Sequence, residues 1–203
     1  MRRARGADRR GLLVHLTEML VLPTDPATAA RLLADPAYVR EKIEESGAAC
    51  EQIDVTHDDV APDLTPDTGR ELAPDGGSSR SGTLGGFTVT TRRTLATEQI
   101  PQQVRAFVGN RIEVRQVEAW RAPDGDGARV GTVVVEVVGA PVRLAGRVTL
   151  VAHGGTRTAI RYDGDLRAAI PLLGSAVEQA TAAAIRSAVA AEERVAARRL
   201  AQA

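Results

Sequence analysis

Alternating apolar and polar positions predict β-strands along most of this chain. In residues 12–22 the leucines and valines recur mainly at every second position, the pattern of a strand with one buried face. A second strand is predicted at Ala49–His57, and a Pro-Asp-Gly-Asp-Gly run at 123–127 has the composition of a hairpin turn. The five remaining strands are predicted at 87–95, 112–120, 129–138, 142–150 and 158–167. The short connections between the last strands favour an antiparallel meander.

Two short helices are predicted between the first and second strands. Asp25-Pro26 and Asp35-Pro36 each supply a capping carboxylate followed by proline, which is tolerated in a first helical turn. Gly47 is the natural end of the second helix.

A long amphipathic helix is predicted at 171–203, with Pro171 in its first turn. Its interior stripe is predicted to contain Leu173, Val177, Ala180, Thr181, Ala184, Ala188, Ala191 and Val195. Glu178 and Glu193 are predicted to point away from this stripe. Small residues allow two interpretations: the helix either packs tightly on the strands or leaves a pocket above them.

These elements predict an α+β fold in which one seven-stranded antiparallel sheet wraps around a long C-terminal helix, with two short helices after the first strand. One face of the sheet is apolar and the other charged, so a single layer of helix is expected to cover it. Residues 1–11 are expected to form an Arg-rich disordered leader. Residues 12–203 are expected to form one domain with a flexible insertion at 58–86, which is rich in Pro, Asp, Gly and Ser.

Composition narrows the possible functions. The formal net charge is zero and aromatic residues make up 2% of the chain, which argues against a nucleic-acid partner. Cys50 is the only cysteine, so no intrachain disulfide can form, and no stretch has the apolar length of a membrane span. We therefore expect a cytoplasmic protein; its oligomeric state is left open.

Candidate chemistry is sparse. The three histidines lack metal-ligand spacing, and no phosphate-binding loop or nucleophile motif is present, so we predict no metal, cofactor or catalytic group. The inner strand face carries polar residues, however: Arg93, Gln116, Glu118 and Tyr162 share faces with apolar neighbours. An Arg93–Glu118 pair would offset the cost of burying charge and leave polar groups in an apolar cavity. The alternative is that these residues lie near strand ends or turn outward at a bulge.

The candidate ligand site combines these polar residues with part of the predicted helix stripe. Trp120 is included, although a core position is the commoner role for a tryptophan. The helix contributes Leu173, Val177, Ala180 and Ala184.

The order of elements resembles the START-like, polyketide-cyclase (SRPBCC, helix-grip) superfamily, and more closely the actinobacterial domain-of-unknown-function family 2505. The resemblance rests on four stretches: Leu-Ala-Asp-Pro-Ala-Tyr at 33–38, Glu-Ala-Trp at 118–120, Gly-Ala-Pro-Val at 139–142 and Ile-Pro-Leu-Leu-Gly at 170–174. It implies a hydrophobic cavity between the sheet and the C-terminal helix, and it implies no activity.

Three functions are therefore compared. The first is binding of a hydrophobic small molecule, such as a lipid or polyketide-like compound, in that cavity. The second is a cyclase- or aromatase-type enzyme that uses Glu118, Arg93 and Tyr162 in the same cavity. The third is a non-catalytic interaction module with a filled core, which a cavity no larger than a few waters would favour.

Overall fold

A computed structural model of the protein describes residues 13–58, 84–96, 111–170 and 173–202. Its strands are β1 (Leu13–Leu22), β2 (Ala49–His57), β3 (Phe87–Ala96), β4 (Arg111–Trp120), β5 (Arg129–Val137), β6 (Val142–Ala152) and β7 (Thr158–Ala168). Its helices are α1 (Pro26–Leu33), α2 (Pro36–Glu45) and α3 (Gly174–Leu200). The expected leader, most of the 58–86 insertion and Pro171 lie outside the described residues.

All seven strands form one antiparallel sheet in the order β1-β7-β6-β5-β4-β3-β2. Strands β2 to β7 follow one another as a meander, and β1 pairs with β7 at the far edge. The helix-grip prediction is confirmed: the sheet curves around α3, which packs against α2, β1 and β7. The predicted turn between β4 and β5 is also confirmed, because Asp124 Oδ1 accepts hydrogen bonds from the backbone N–H groups of Asp126 and Ala128.

The two short helices begin where the sequence predicts. Asp25 Oδ1 accepts hydrogen bonds from the N–H groups of Ala27 and Thr28 at 2.9 and 3.0 Å. Asp35 Oδ1 accepts from the N–H of Ala37 at 2.9 Å. Each carboxylate satisfies donors that the first helical turn leaves unpaired. Gly47 has φ +83°, which favours glycine, and the chain leaves α2 there.

The buried face of α3 differs from the predicted stripe. Ala184 is exposed, whereas Glu178 and Glu192 are 1% and 6% exposed. The prediction of which side faces the strands is therefore wrong at Ala184 and Glu178. In this alanine-rich helix the larger apolar residues Val177 and Val195 are buried, and each carboxylate accepts from an interior donor, although Glu178 Oε2 has no partner among the described residues.

Within the described parts of the chain, no helix is both long enough and apolar enough to span a membrane.

Candidate functional site

Two apolar clusters fill the space between the sheet and the helices. The first contains Leu20, Leu22, Phe87, Leu150, Ile160 and Val195, among others. The second contains Leu16, Val133, Leu144, Leu166 and Val177, among others. Tyr162 packs against both clusters. Polar side chains gather beside it, and we call them the buried polar cluster. Thr91, Glu118 and Glu192 are buried, and Lys42, Arg93, Gln116 and Tyr162 are half-buried.

The first contact of the buried polar cluster joins α2 to α3. Lys42 Nζ lies 2.7 Å from Glu192 Oε1, and the Tyr38 hydroxyl donates to the same oxygen at 3.3 Å. Burial lowers the pKa of Lys42, but the carboxylates of Glu192 and Glu118 outweigh that effect and leave it above the usual value. Lys42 is therefore an ammonium ion at neutral pH, held by a carboxylate in the protein interior.

The second contact is on β4. The Glu118 side chain is 4% exposed and accepts hydrogen bonds from Gln116 Nε2 at 2.6 Å and from Trp120 Nε1 at 3.3 Å. The Trp120 ring stacks on Phe87, with ring centroids 6.1 Å apart. Gln116, Glu118 and Trp120 alternate along one strand, so their side chains lie on its inner face and meet there. Neutral donors alone contact this carboxylate among the described residues.

Several polar groups of the cluster have no such partner. The hydroxyls of Thr91 and Tyr162 are buried without a hydrogen-bond partner among the described residues. The guanidinium of Arg93 forms no ion pair within the same part of the chain. Burial lowers the pKa of Arg93, and the nearby carboxylates of Glu118 and Glu192 oppose that shift. Burial raises the pKa of Tyr162, and the same carboxylates raise it further. Unsatisfied polar groups of this kind each have an energetic cost in a protein interior.

A small cavity separates α2 from β3 and β4. Its volume is about 10 Å³, and Lys42, Thr91, Arg93, Gln116 and Glu118 line it together with Leu33, Val39, Ile43 and Val89. That volume is about one water molecule. Polar groups from both sides line it, so the space suits a water or a polar atom of a ligand rather than an apolar one.

A larger depression lies elsewhere, at the turn between β5 and β6. It has a volume of about 410 Å³ and is lined by Arg115, Glu136, Arg143 and residues 137–142. It contains none of the predicted site residues, is open to solvent, and its Arg143 and Glu136 side chains pair with each other. The small interior cavity has the more unusual chemistry, because burial is what makes its charges costly.

The structure brings together five of the predicted site residues: Arg93, Gln116, Glu118, Trp120 and Tyr162. The expected Arg93–Glu118 ion pair is absent among the described residues, because Gln116 and Trp120 take the carboxylate instead.

The helix residues predicted for the site lie apart from these five. Val177 is buried in the second apolar cluster and Leu173 packs against it. Ala180 is half-buried, and Ala184 faces solvent.

Sequence reasoning missed Lys42, Glu192, Tyr38 and Thr91. A signal for two of them was present. Lys42 follows Val39 by three residues and precedes Ile43, on the apolar side of α2. Glu192 lies three residues from both Val189 and Val195, so it falls in the row of larger apolar residues on α3.

The buried polar cluster offers hydrogen-bond donors, two cations and two carboxylates within an apolar interior. It can orient a polar group of a bound molecule, and its tyrosine stays protonated because its pKa is raised. No group of His, Cys, Asp and Glu side chains in the described ranges has the arrangement of a metal site.

Comparison with known proteins agrees with this architecture. A solved structure from Thermus thermophilus is similar with a TM-score of 0.52 and 15% identity, over 94% of this chain and 99% of that one. The Zhui aromatase/cyclase from Streptomyces sp. R1128 has a TM-score of 0.49 and 10% identity, over 91% of this chain and 92% of that one. A START superfamily protein from Mycobacterium smegmatis has a TM-score of 0.45 and 12% identity, over 89% of this chain and 96% of that one. At 15% identity the Thermus thermophilus structure indicates a shared fold alone, and the other two, with TM-scores below 0.5, carry no argument.

No curated protein matches the sequence. The family model described as a protein of unknown function, DUF2505, matches residues 19–200. This match spans most of the chain, and the protein therefore belongs to the DUF2505 family.

Proposed function

We propose that this protein binds a small molecule with an apolar body and a polar end, in the interior between the sheet and helices α2 and α3. The observation that carries the proposal is the buried polar cluster. Each buried ion costs several kcal/mol of desolvation, and well-packed apolar residues often replace buried ion pairs without loss of stability. A core with no role beyond packing therefore gains little from Lys42, Arg93, Glu118 and Glu192.

The surroundings of the cluster support the same proposal. Ligand sites are mostly apolar and contain a few polar groups that fix orientation. Here the two apolar clusters lie on either side of such groups, and Tyr162 contacts both. Perturbed ionisable groups that line a cavity are also typical of functional sites.

Binding requires the interior to open, since the cavity holds about 10 Å³. Outside the core, α3 is held to α2 by ion pairs of Arg194, Arg198 and Arg199 with acidic residues of α2 and its cap. Exposed pairs such as these contribute little each. We therefore propose that ligand entry moves α2 away from β3 and β4, which line the cavity with it, and that the outer pairs with α3 oppose this movement little.

Native mass spectrometry of freshly purified protein tests the proposal, followed by titration with a panel of lipids and polyketides. Trp120 is the only tryptophan and donates to Glu118, so its fluorescence reports directly on the site. We expect a bound mass or a saturable change in fluorescence. An Arg143→Gln variant, altered at the outer depression, should respond like the wild type. A native mass that shows no bound molecule, together with no fluorescence change across the panel, would contradict the proposal.

The second candidate is an interaction module with a filled core, and the small cavity volume favours it. In that case the polar cluster serves only to align α2 with α3. The same titration separates the two functions, because a module with a filled core leaves Trp120 fluorescence unchanged with every ligand.

A further inference from the structure

Arg93 is the least satisfied charge in the buried polar cluster. It lies on β3 opposite Val114 and lines the interior cavity. Lys42 has Glu192 at 2.7 Å, whereas Arg93 has no ion pair among the described residues. Its neighbour Arg92 points to the outer face and pairs with Glu113 at 3.0 Å. The chain thus places a paired arginine outside and an unpaired one inside at adjacent positions.

The unused hydrogen-bonding capacity near Arg93 consists mainly of donors. The guanidinium offers several N–H groups and no acceptor. The Thr91 hydroxyl lines the same cavity, is 4% exposed and has no partner in the described parts of the chain. Thr91 lies opposite Gln116, whose amide nitrogen already donates to Glu118. Arg93 and Thr91 therefore have donors that no described group accepts, while the carboxylate of Glu118 in the same cavity is engaged by Gln116 and Trp120.

We propose that Arg93 and Thr91 bind the carboxylate of a ligand whose remainder is an apolar chain. This inference rests on the proposed function and specifies the polar end of the ligand. A planar guanidinium matches a carboxylate through two parallel hydrogen bonds, and the threonine hydroxyl adds a third.

Counting charges favours a single negative charge over a phosphate. Arg93 faces the cavity without an ion pair among the described residues, while Glu118 and Glu192 lie close enough to act on it. A group with two negative charges would leave one of them uncompensated near these carboxylates. A carboxylate pairs directly with Arg93 and adds one negative charge, the smallest that an anion can bring to a cluster whose two cations and two carboxylates already balance.

Matched probes test the inference: laurate and 1-dodecanol, which share an apolar chain and differ in the head group. Both are titrated against Trp120 fluorescence in the wild type, in Arg93→Met and in Arg92→Gln. Methionine keeps an apolar stem and removes the charge. We expect laurate to bind the wild type and Arg92→Gln at least ~10-fold more tightly than dodecanol, a typical effect of a charged hydrogen-bonded pair. In Arg93→Met the two affinities should become equal.

A second readout needs no ligand. Arg93 is half-buried and has no ion pair among the described residues, so removing its charge should raise the melting temperature of Arg93→Met by about 2–4 °C, whereas Arg92→Gln should not raise it. A fall in the melting temperature of Arg93→Met would make Arg93 a structural residue and overturn the inference.

The outcomes separate the inference from the function on which it rests. Equal binding of both probes to the wild type, or a laurate preference that survives in Arg93→Met, overturns the carboxylate site and leaves ligand binding in place. If neither probe binds the wild type and the wider panel also fails, the proposed function is contradicted together with this inference.

Discussion

Two sets of charges connect α2 with α3, and they differ in burial. The inner set is the Lys42–Glu192 pair, whose side chains are 14% and 8% exposed. The outer set lies on the surface of the same helices and consists of Arg194, Arg198 and Arg199 with Asp35, Glu41 and Glu45. Both sets bridge residues about 150 positions apart in the sequence, with comparable geometry.

The difference shows how one kind of contact can have two roles. Outside, water screens the charges, and the pairs align the helices at little cost or gain. Inside, desolvation makes each charge expensive, so it depends on its partner. The outer set suits an interface that opens, and the inner set suits a site that discriminates between polar groups.

The largest expected effect comes from breaking the inner pair. Glu192→Gln keeps the shape of the side chain but leaves Lys42 charged and uncompensated, which should lower the free energy of unfolding by about 3–5 kcal/mol. Urea denaturation measures it. The exposed neighbour Glu193 provides the control, since Glu193→Gln should change stability by less than about 0.5 kcal/mol. Adding Lys42→Met to Glu192→Gln should recover most of the loss; a double variant as unstable as the single one would contradict this account.

The next effect is a loss of stability in alkali. Burial raises the pKa of Tyr38 and Tyr162, the only tyrosines in the chain, and carboxylates keep the pKa of Lys42 raised despite its burial. Because the folded state holds these protons more tightly than the unfolded chain, the contribution of these three groups to stability should be constant below about pH 10 and should be lost above it. Tyrosinate absorbance should therefore appear in one cooperative step together with loss of the near-ultraviolet circular dichroism. Gradual ionisation near pH 10 in a folded protein would contradict the burial of these groups.

The smallest effect belongs to the outer set. Arg198 bridges Glu41 and Glu45, and Arg198→Gln should destabilise the protein far less than Glu192→Gln. At 1 M salt the screening length falls to about 3 Å, so the difference from wild type should disappear. Thermal melts at low and high salt measure it. A large effect that persists in salt would show that the two sets do not differ as described.

Acid provides a related comparison. Hydrogen bonds from Arg198 and Arg199 lower the pKa of Glu41, and those from Arg198 and Arg194 lower that of Glu45. Their contribution is present above the unfolded value near 4.5 and is lost as pH falls below it. High salt should weaken this acid dependence while leaving the alkaline one in place.

Most of the fold follows from local signals. Alternation along the strands and the Asp-Pro helix starts depend on neighbouring residues, which explains why their boundaries agree with the structure. The rotation of α3 could not be read in the same way. In a helix made largely of alanine, burial depends on what lies opposite, and the Ala168 N–H that donates to Glu178 Oε1 is positioned only by the folded sheet.

Half of the candidate site was predictable for the same reason. Gln116, Glu118 and Tyr162 fall on an apolar strand face, so alternation alone brings them inward. Lys42 and Glu192 carry charges on helices, where solvent is the usual environment. Their spacing from apolar neighbours was a local signal, but the contact that pairs them joins residues 150 positions apart, which no local pattern contains.

The central claim is that the buried polar cluster receives a ligand. A crystal structure of the protein saturated with laurate tests it most directly. We predict that the interior cavity grows from about 10 Å³ to at least about 300 Å³, with the carboxylate about 3 Å from the guanidinium of Arg93. An unchanged interior, with laurate in the outer depression beside Arg115 and Arg143 or absent altogether, would contradict the claim.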